Sequence, residues 1–221
     1  MKIIKTYIFN HFRTLFILTS LIVVSIFLLM IRLKITHSFF YIFLVWNLFL
    51  AVIPFSISSY LKSKKYISIK KLIFGFGSWL LFLPNAPYLV TDLIHLRLSH
   101  IYIIWFDAIM ILSFAICGLS LFYFSVKDMV QLLRPFLKRK YLNLLLISLC
   151  FMTSFGVYIG RFLRYNSWEI ISQPLNLLND IFEIIIFPSQ HYGAWLFTFG
   201  FGFFLWLGFL MFKYLYSKPS T

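Results

Sequence analysis

The way this chain crosses a membrane depends on one block, Phe82-Leu83-Pro84-Asn85-Ala86-Pro87-Tyr88-Leu89-Val90-Thr91-Asp92, which is followed closely by His95. The block ends an apolar run long enough to span a bilayer. Its two prolines lack a backbone N–H and clash with the preceding turn, so they predict a broken helix. Broken backbone at membrane depth persists only where it is buried in protein or lines a wet cavity. We therefore predict an interrupted third span, with Asn85 facing the interior of the bundle.

The composition excludes an ordinary soluble domain, because 62% of the 221 residues are hydrophobic and only 12% are charged. Six uncharged runs have about the ~20 residues that a ~30 Å hydrocarbon core requires. They cover residues 15–31, 38–61, 72–91, 108–126, 141–160 and 192–212. We predict an all-α, polytopic membrane helix bundle of six transmembrane helices, forming a single integral membrane domain over residues 1–221.

The basic residues predict the orientation of this bundle. Of the 20 Lys and Arg residues, 15 fall on one side of the six spans, and the positive-inside rule makes that side cytoplasmic. Both termini are then cytoplasmic, in a cell membrane. The net charge of +14 comes from short loops, so it is an orientation signal and predicts no nucleic-acid partner. Five of the six acidic residues fall at the extracytoplasmic end; Asp128 is expected in a cytoplasmic loop, where its replacement should be silent.

The residues between the fifth and sixth spans, 168–188, are too polar to cross a bilayer. Pro174 is favoured in the first turn of a helix, and a polar stripe and an apolar stripe follow it at helical spacing. The polar stripe is Asn176, Asn179, Asp180 and Glu183, and the apolar stripe is Leu175, Leu178, Phe182 and Ile185. This pattern predicts a helix that lies in the membrane interface or re-enters it.

Asp92 and His95 stand three residues apart and share one face of a helical turn. Such a pair could ligate a divalent metal or act as an acid/base pair. A metal site would need a third ligand, for which His191 and Glu169 are candidates. The alternative is a helix end that carries ordinary polar residues. The sequence shows no evident cofactor site.

Asp107 is the second candidate carboxylate. An acidic group well inside hydrocarbon costs about 2.5–3.5 kcal/mol on insertion scales and usually faces the bundle interior with a partner. Asp107 lies inside the fourth span if that span begins near Ile101, and at its boundary if it begins at Ala108. We expect Arg161 or Arg164 to be its partner.

A second dense polar block is Gly160-Arg161-Phe162-Leu163-Arg164-Tyr165-Asn166-Ser167-Trp168-Glu169. Its two arginines, three residues apart, could bind a phosphate or carboxylate in a bidentate manner. Its aromatic residues are of the kind found at the depth of the lipid headgroups. Alternatively, the arginines are salt-bridge partners of Asp92 and Asp107. We predict one extracytoplasmic cluster of Asp92, His95, Asp107, Arg161 and Arg164. The full set of candidate ligand-binding residues is Asn85, Thr91, Asp92, His95, Asp107, Arg161, Arg164, Asn166 and Glu169.

Small residues in the last two spans predict close helix packing within the chain: Gly156 and Gly160 in one, and Ala194, Thr198 and Gly202 in the other. The oligomeric state stays open.

Three motifs together resemble a known family: Trp79-x-x-x-Leu83-Pro84-Asn85-Ala86-Pro87-Tyr88-x-x-Thr91-Asp92-x-x-His95-Leu96, Trp105-Phe106-Asp107 and Gly156-x-Tyr158-x-Gly160-Arg161-Phe162-x-Arg164-x-Asn166-Ser167-Trp168. The resemblance is to an uncharacterised family of bacterial multi-pass membrane proteins, a domain of unknown function, and covers roughly residues 72–188. The family more usually has Tyr at Phe106 and Asp at Glu169. The resemblance implies a membrane location and supports a site in two blocks, but it brings no activity.

Three functions stay open. The first is recognition of an anionic headgroup or lipid-linked ligand at the extracytoplasmic face, with membrane lipids as partners. The second is an enzyme that acts on such a substrate through Asp92, His95 and Asp107. The third is a small transporter with Asp107 as a coupling carboxylate, which the lack of internal repeats disfavours. No His-Glu-x-x-His motif and no evident serine or cysteine elbow occur, which disfavours a protease.

Overall fold

The computed structural model describes residues 12–64, 66–165 and 169–216 of the chain. Within these ranges the chain is helical and has no strand. Six helical segments are long and apolar enough to cross a membrane. The predicted all-α, polytopic architecture is therefore confirmed.

The helices follow one another with short connections. They are α1 (Phe12–Thr36), α2 (Phe43–Ser63), α3 (Ile69–Phe82), α4 (Asn85–Thr91), α5 (Ile104–Leu133), α6 (Arg139–Phe162), α7 (Pro174–Ile186) and α8 (Tyr192–Tyr216). A 3-10 turn at Phe40–Ile42 leads into α2, and a second, Asp92–Leu98, continues α4. One further turn, Glu169–Ser172, precedes α7.

The chain forms two compact units, the first ending at Leu132 and the second beginning at Leu133. In the first unit, α2, α3 and α5 meet at a buried polar contact. Trp79 donates its indole N–H to the Ser125 hydroxyl at 2.7 Å, and that hydroxyl lies 3.1 Å from the Ser58 hydroxyl. All three side chains are buried, so the contact satisfies polar groups that would be costly to bury alone. The prediction of one domain over residues 1–221 stays a prediction.

The block at Pro84 and Pro87 interrupts the third span, as predicted, but more gently than the two prolines suggested. Leu83 and Pro84 keep right-handed helical angles, while the regular hydrogen bonding stops at Phe82 and resumes at Asn85. Because Pro87 has no N–H, the Leu83 carbonyl accepts from the Ala86 N–H instead, at 3.2 Å. This shift leaves the Phe82 carbonyl to the side-chain amide of Asn85, at 2.9 Å. The interruption is therefore repaired locally by Asn85.

The interrupted segment packs closely against α5. Leu83, Ala86 and Leu89 are fully buried. A Cβ added at Gly118 would collide with the Ala86 carbonyl oxygen and would lie 2.9 Å from Leu89 Cδ1. Only glycine allows this approach of α5 to the irregular backbone.

At the other end of the first unit, Asp128 pairs with Lys62 and ties α5 to α2. The expectation that Asp128 lies in a cytoplasmic loop is wrong, because α5 continues to Leu133 and Asp128 is only 6% exposed. The uncharged run ends at Val126, but the helix does not. A membrane helix can continue past its first charged residues, because their side chains find partners or extend out of the apolar region.

In the second unit, α6 packs against α8. Ala194, Thr198 and Gly202 are buried, and a Cβ at Gly202 would clash with the Phe151 ring. This packing within the unit agrees with the interpretation of the small-residue stripe in α8. The helix predicted after Pro174 is α7, which joins α8 through a 3.1 Å hydrogen bond from the Trp195 indole to the Ile184 carbonyl.

Candidate functional site

α5 begins at Ile104, between the two starts of the fourth span that were considered from the sequence. Asp107 lies in the first turn of this helix and is fully buried. Its carboxylate is held by Arg32, in the last part of α1. Arg32 Nε donates to Oδ1, and Nη2 donates to Oδ2 at 3.2 Å. This two-pronged arrangement is the strongest geometry for an arginine–carboxylate pair. Both charges of the pair are thereby neutralised in an apolar setting.

Arg32 was not a candidate from the sequence. The expected partners, Arg161 and Arg164, belong to the second unit, and their pairing with Asp107 stays a prediction. The signal that could have found Arg32 is the charge count, which puts Arg32 and Asp107 at the same end of their spans. An unpaired buried arginine is as costly as an unpaired buried carboxylate, so the two should have been matched.

Further contacts extend this pair to the 3-10 turn that leads into α2. Arg32 Nη1 donates to the Thr36 hydroxyl, and the guanidinium carbon lies 5.3 Å from the centre of the Tyr41 ring. The Tyr41 hydroxyl lies 2.7 Å from the Ser99 hydroxyl and donates to the His95 carbonyl at 3.3 Å. Tyr41 therefore connects the ion pair to the 3-10 segment that carries Asp92 and His95.

Asp92 is fully buried and is held by a second residue that the sequence did not single out. Asn47 of α2 donates its amide to Asp92 Oδ2 at 3.0 Å. His95 Nε2 lies 4.0 Å from Asp92 Oδ1, and the His95 side chain is 26% exposed. The imidazole packs edge-on against the Phe43 ring at 4.9 Å. The result is a fixed carboxylate next to an accessible imidazole.

These residues make one network, which we call the carboxylate cluster. It consists of Arg32, Tyr41, Asn47, Asp92, His95 and Asp107. The described residues contain no group of three His, Cys, Asp or Glu side chains placed to hold a metal ion. Of the metal candidates, Asp92 and His95 are brought together, whereas His191 lies in the second unit, just before α8.

The remaining candidates of the first unit donate side-chain hydrogen bonds to backbone carbonyls in this structure. Asn85 and Thr91 are half-buried. The Asn85 amide donates to the Phe82 carbonyl, and the Thr91 hydroxyl donates to the Tyr88 carbonyl at 2.7 Å. A role in ligand binding stays a prediction for both.

Residues 160–165 of the second polar block form the turn that ends α6. Arg161 is half-buried in the last turn of the helix, and Arg164 is exposed with a φ of 63°. The N–H of Tyr165 closes the turn by donating to the Ile159 carbonyl at 3.3 Å. The Tyr165 hydroxyl donates to Asp180 of α7 at 2.8 Å. We call Arg161, Arg164 and Tyr165 the arginine turn.

The hydrogen bond to Asp180 of α7 also affects the acidity of Tyr165. The hydrogen bond to Asp180 raises the pKa of the phenol, together with desolvation and the negative charges of Asp180 and Glu169. Tyr165 therefore stays neutral and keeps donating to Asp180 over the whole physiological range. Glu169 is half-buried in the turn before α7. The candidate Asn166 lies outside the described residues.

A family model described as "Protein of unknown function (DUF1361)" matches residues 46–207. The match covers well over half of the 221 residues and contains every candidate residue named from the sequence. Arg32 precedes the matched range. No curated protein and no solved structure matches the chain. The chain belongs to this family of unknown function, which confirms the resemblance seen in its motifs.

Proposed function

We propose that this member of the family recognises an anionic headgroup, or the phosphate of a lipid-linked ligand, at its extracytoplasmic face. The arginine turn is the contact surface, with Arg161 and Arg164 as donors to the anion. The protein is then a binding or accessory protein of the cytoplasmic membrane.

The backbone of Arg164 is the observation that carries this proposal. A non-glycine residue in the left-handed region costs roughly 1–2 kcal/mol, and glycine would occupy this position without that cost. Such strain is found where a side chain is retained for a function. Here the strained residue presents an exposed guanidinium, which suits an anionic ligand.

The surroundings of the turn support a location at headgroup depth. In α7, Leu177 and Ile184 pack inward, at 6% and 2% exposure. The apolar stripe predicted from the sequence points outward instead and consists of Leu175, Leu178, Phe182 and Ile185. An exposed apolar stripe on a helix of this kind suits burial at the boundary of headgroups and acyl chains. Since Tyr165 is tied to Asp180, the arginine turn would share that depth.

Orientation comes from the charge distribution. The 15 basic residues on the opposite side of the spans favour an extracytoplasmic location for the end of α6. Only five of the 20 basic residues fall on that side by this count, so two of them within one turn support a specific role for this turn.

Binding can be measured with polyprenyl monophosphate as the probe. The protein is placed in phosphatidylcholine nanodiscs with the probe, and the bound probe is counted by native mass spectrometry. A hydrogen bond to a charged group contributes about 1.5–3 kcal/mol, so Arg161→Gln with Arg164→Gln should weaken binding at least about tenfold. The matched control is Lys138→Gln with Lys140→Gln, which removes two exposed charges elsewhere. Equal binding by the arginine variant and wild type would overturn the proposal.

A second function, catalysis on such a lipid, is favoured by one observation. Asp92 is buried and oriented by Asn47, while the adjacent His95 is partly exposed. A buried carboxylate beside an accessible imidazole is an arrangement that suits general acid–base catalysis.

Turnover separates the two functions. Bound lipid-linked phosphate should keep its mass over hours if the protein only binds it. A mass change in wild type that His95→Gln abolishes, with binding unchanged, would favour the enzyme. The same mass change in His95→Gln would exclude His95 as the acid or base.

A further inference from the structure

A groove with a volume of about 900 Å³ runs between α2 and α3 in the first unit. Its walls include Phe49, Ile53, Ile57 and Phe74. At one end it is lined by Lys64, Lys70 and Lys71, together with two tyrosines, Tyr60 and Tyr66. The groove is far from the arginine turn in sequence and has no part in the function proposed above.

The length of the apolar wall matches one leaflet of a bilayer. On α2 the lining extends from Phe49 to Tyr60, eleven residues later. At 1.5 Å per residue this is about 16 Å, close to half of a ~30 Å hydrocarbon core. An acyl chain of one leaflet fits a groove of this length.

The charged end of the groove favours an anion. Lys64, Lys70 and Lys71 are all exposed, and the Lys64 ammonium lies 4.7 Å from the centre of the Tyr60 ring. Within the described residues, no carboxylate lies within ion-pair distance of these three lysines. The neighbouring Lys62, by contrast, is paired with Asp128. The three lysines thus form a cationic site at one end of the groove.

We propose that this groove binds one phospholipid with an anionic headgroup, with one of its two acyl chains along residues 49–60 and its phosphate on Lys64, Lys70 and Lys71. Basic pockets between membrane helices on the cytoplasmic side are suited to anionic lipids. The charge count predicts that this end of the first unit is cytoplasmic. The tyrosines at the mouth are amphipathic side chains that suit headgroup depth.

The test compares phosphatidylglycerol with phosphatidylcholine of the same acyl chains, by native mass spectrometry of the purified protein. All measurements use the Arg161→Gln/Arg164→Gln background, so that the arginine turn contributes nothing. Each lysine near the surface contributes about fivefold in affinity, so Lys70→Gln with Lys71→Gln should weaken phosphatidylglycerol binding about 25-fold. Lys138→Gln with Lys140→Gln is the matched control and should change the Kd less than about twofold.

A second variant tests the apolar part of the groove. Ser56 lines it, is exposed, and donates its hydroxyl to the Val52 carbonyl of its own helix. Ser56→Trp should fill the groove and abolish binding without any change in charge. Two results would overturn the proposal: equal retention of the two lipids by the protein with all its lysines, or unchanged phosphatidylglycerol affinity in the Lys70/Lys71 variant.

Discussion

Arg32 and Asp107 lie 75 residues apart in the sequence and form a two-pronged ion pair in which the Asp107 side chain is fully buried. The pair fixes the last part of α1 to the first turn of α5. Removing one partner leaves a buried charge uncompensated, which costs more than the pair itself contributes.

Asp107→Ala should therefore reduce the free energy of unfolding by about 3–5 kcal/mol. The measurement is an unfolding titration with SDS in mixed micelles. The double variant Arg32→Met/Asp107→Leu removes both charges and keeps the volume, so it should recover at least half of the loss. An SDS titration curve of Asp107→Ala identical to that of wild type would show that the pair does not form.

Asp128→Ala should also destabilise the protein, contrary to the expectation from the sequence. Asp128 is buried and neutralises Lys62, but Lys62 is partly exposed and can reach water. The loss should accordingly be smaller, about 1–3 kcal/mol in the same titration. Glu183→Ala, at an exposed position of α7, is the control and should change stability by less than about 0.5 kcal/mol. Asp128 and Glu183 variants of equal stability would contradict the pairing.

Two glycines give a matched test of the close approach at the interrupted span. Gly118→Ala should cost about 3 kcal/mol, because the new methyl group meets the backbone of Ala86. Gly77→Ala has open space around it and should stabilise α3 by about 0.5–1 kcal/mol, since alanine is the better helix former. If both changes have the same sign, the packing of α5 on the interruption is wrong.

The orientation can be tested by reporter fusions. Because 15 of 20 basic residues lie on one side, fusions at Thr221 and within residues 62–71 should both read as cytoplasmic. A fusion in the loop before α8, near His191, should read as extracytoplasmic. A cytoplasmic reading near His191 would remove the arginine turn from the extracytoplasmic face.

The sequence was sufficient for features that depend on local signals. The six spans followed from uncharged runs, the interruption from Pro84 and Pro87, and α7 from Pro174 and the periodicity after it. The choice of partners was not predictable in this way. Arg32 and Asp107 lie 75 residues apart, and their pairing is a tertiary contact that no local pattern encodes.

Two further features were missed for physical reasons. The extension of α5 beyond Val126 was missed, because a count of uncharged residues ends a span at its first charged residue. In the structure the helix continues, and Asp128 is buried with Lys62 as its partner. The left-handed conformation of Arg164 was hidden, because glycine and asparagine are the residues that signal it. In both cases, the conformation of a charged residue depends on tertiary contacts, which the neighbouring sequence does not reveal.

Arg164→Gly gives the most direct measurement of anion recognition by the arginine turn. Glycine adopts the left-handed conformation readily, so this variant keeps the turn and should be as stable as wild type or more stable, while it removes the exposed side chain with its guanidinium. We predict that the Kd for polyprenyl monophosphate in phosphatidylcholine nanodiscs rises at least about tenfold, with no loss of thermal stability. An unchanged Kd in a variant of unimpaired stability would contradict the proposed role of the arginine turn.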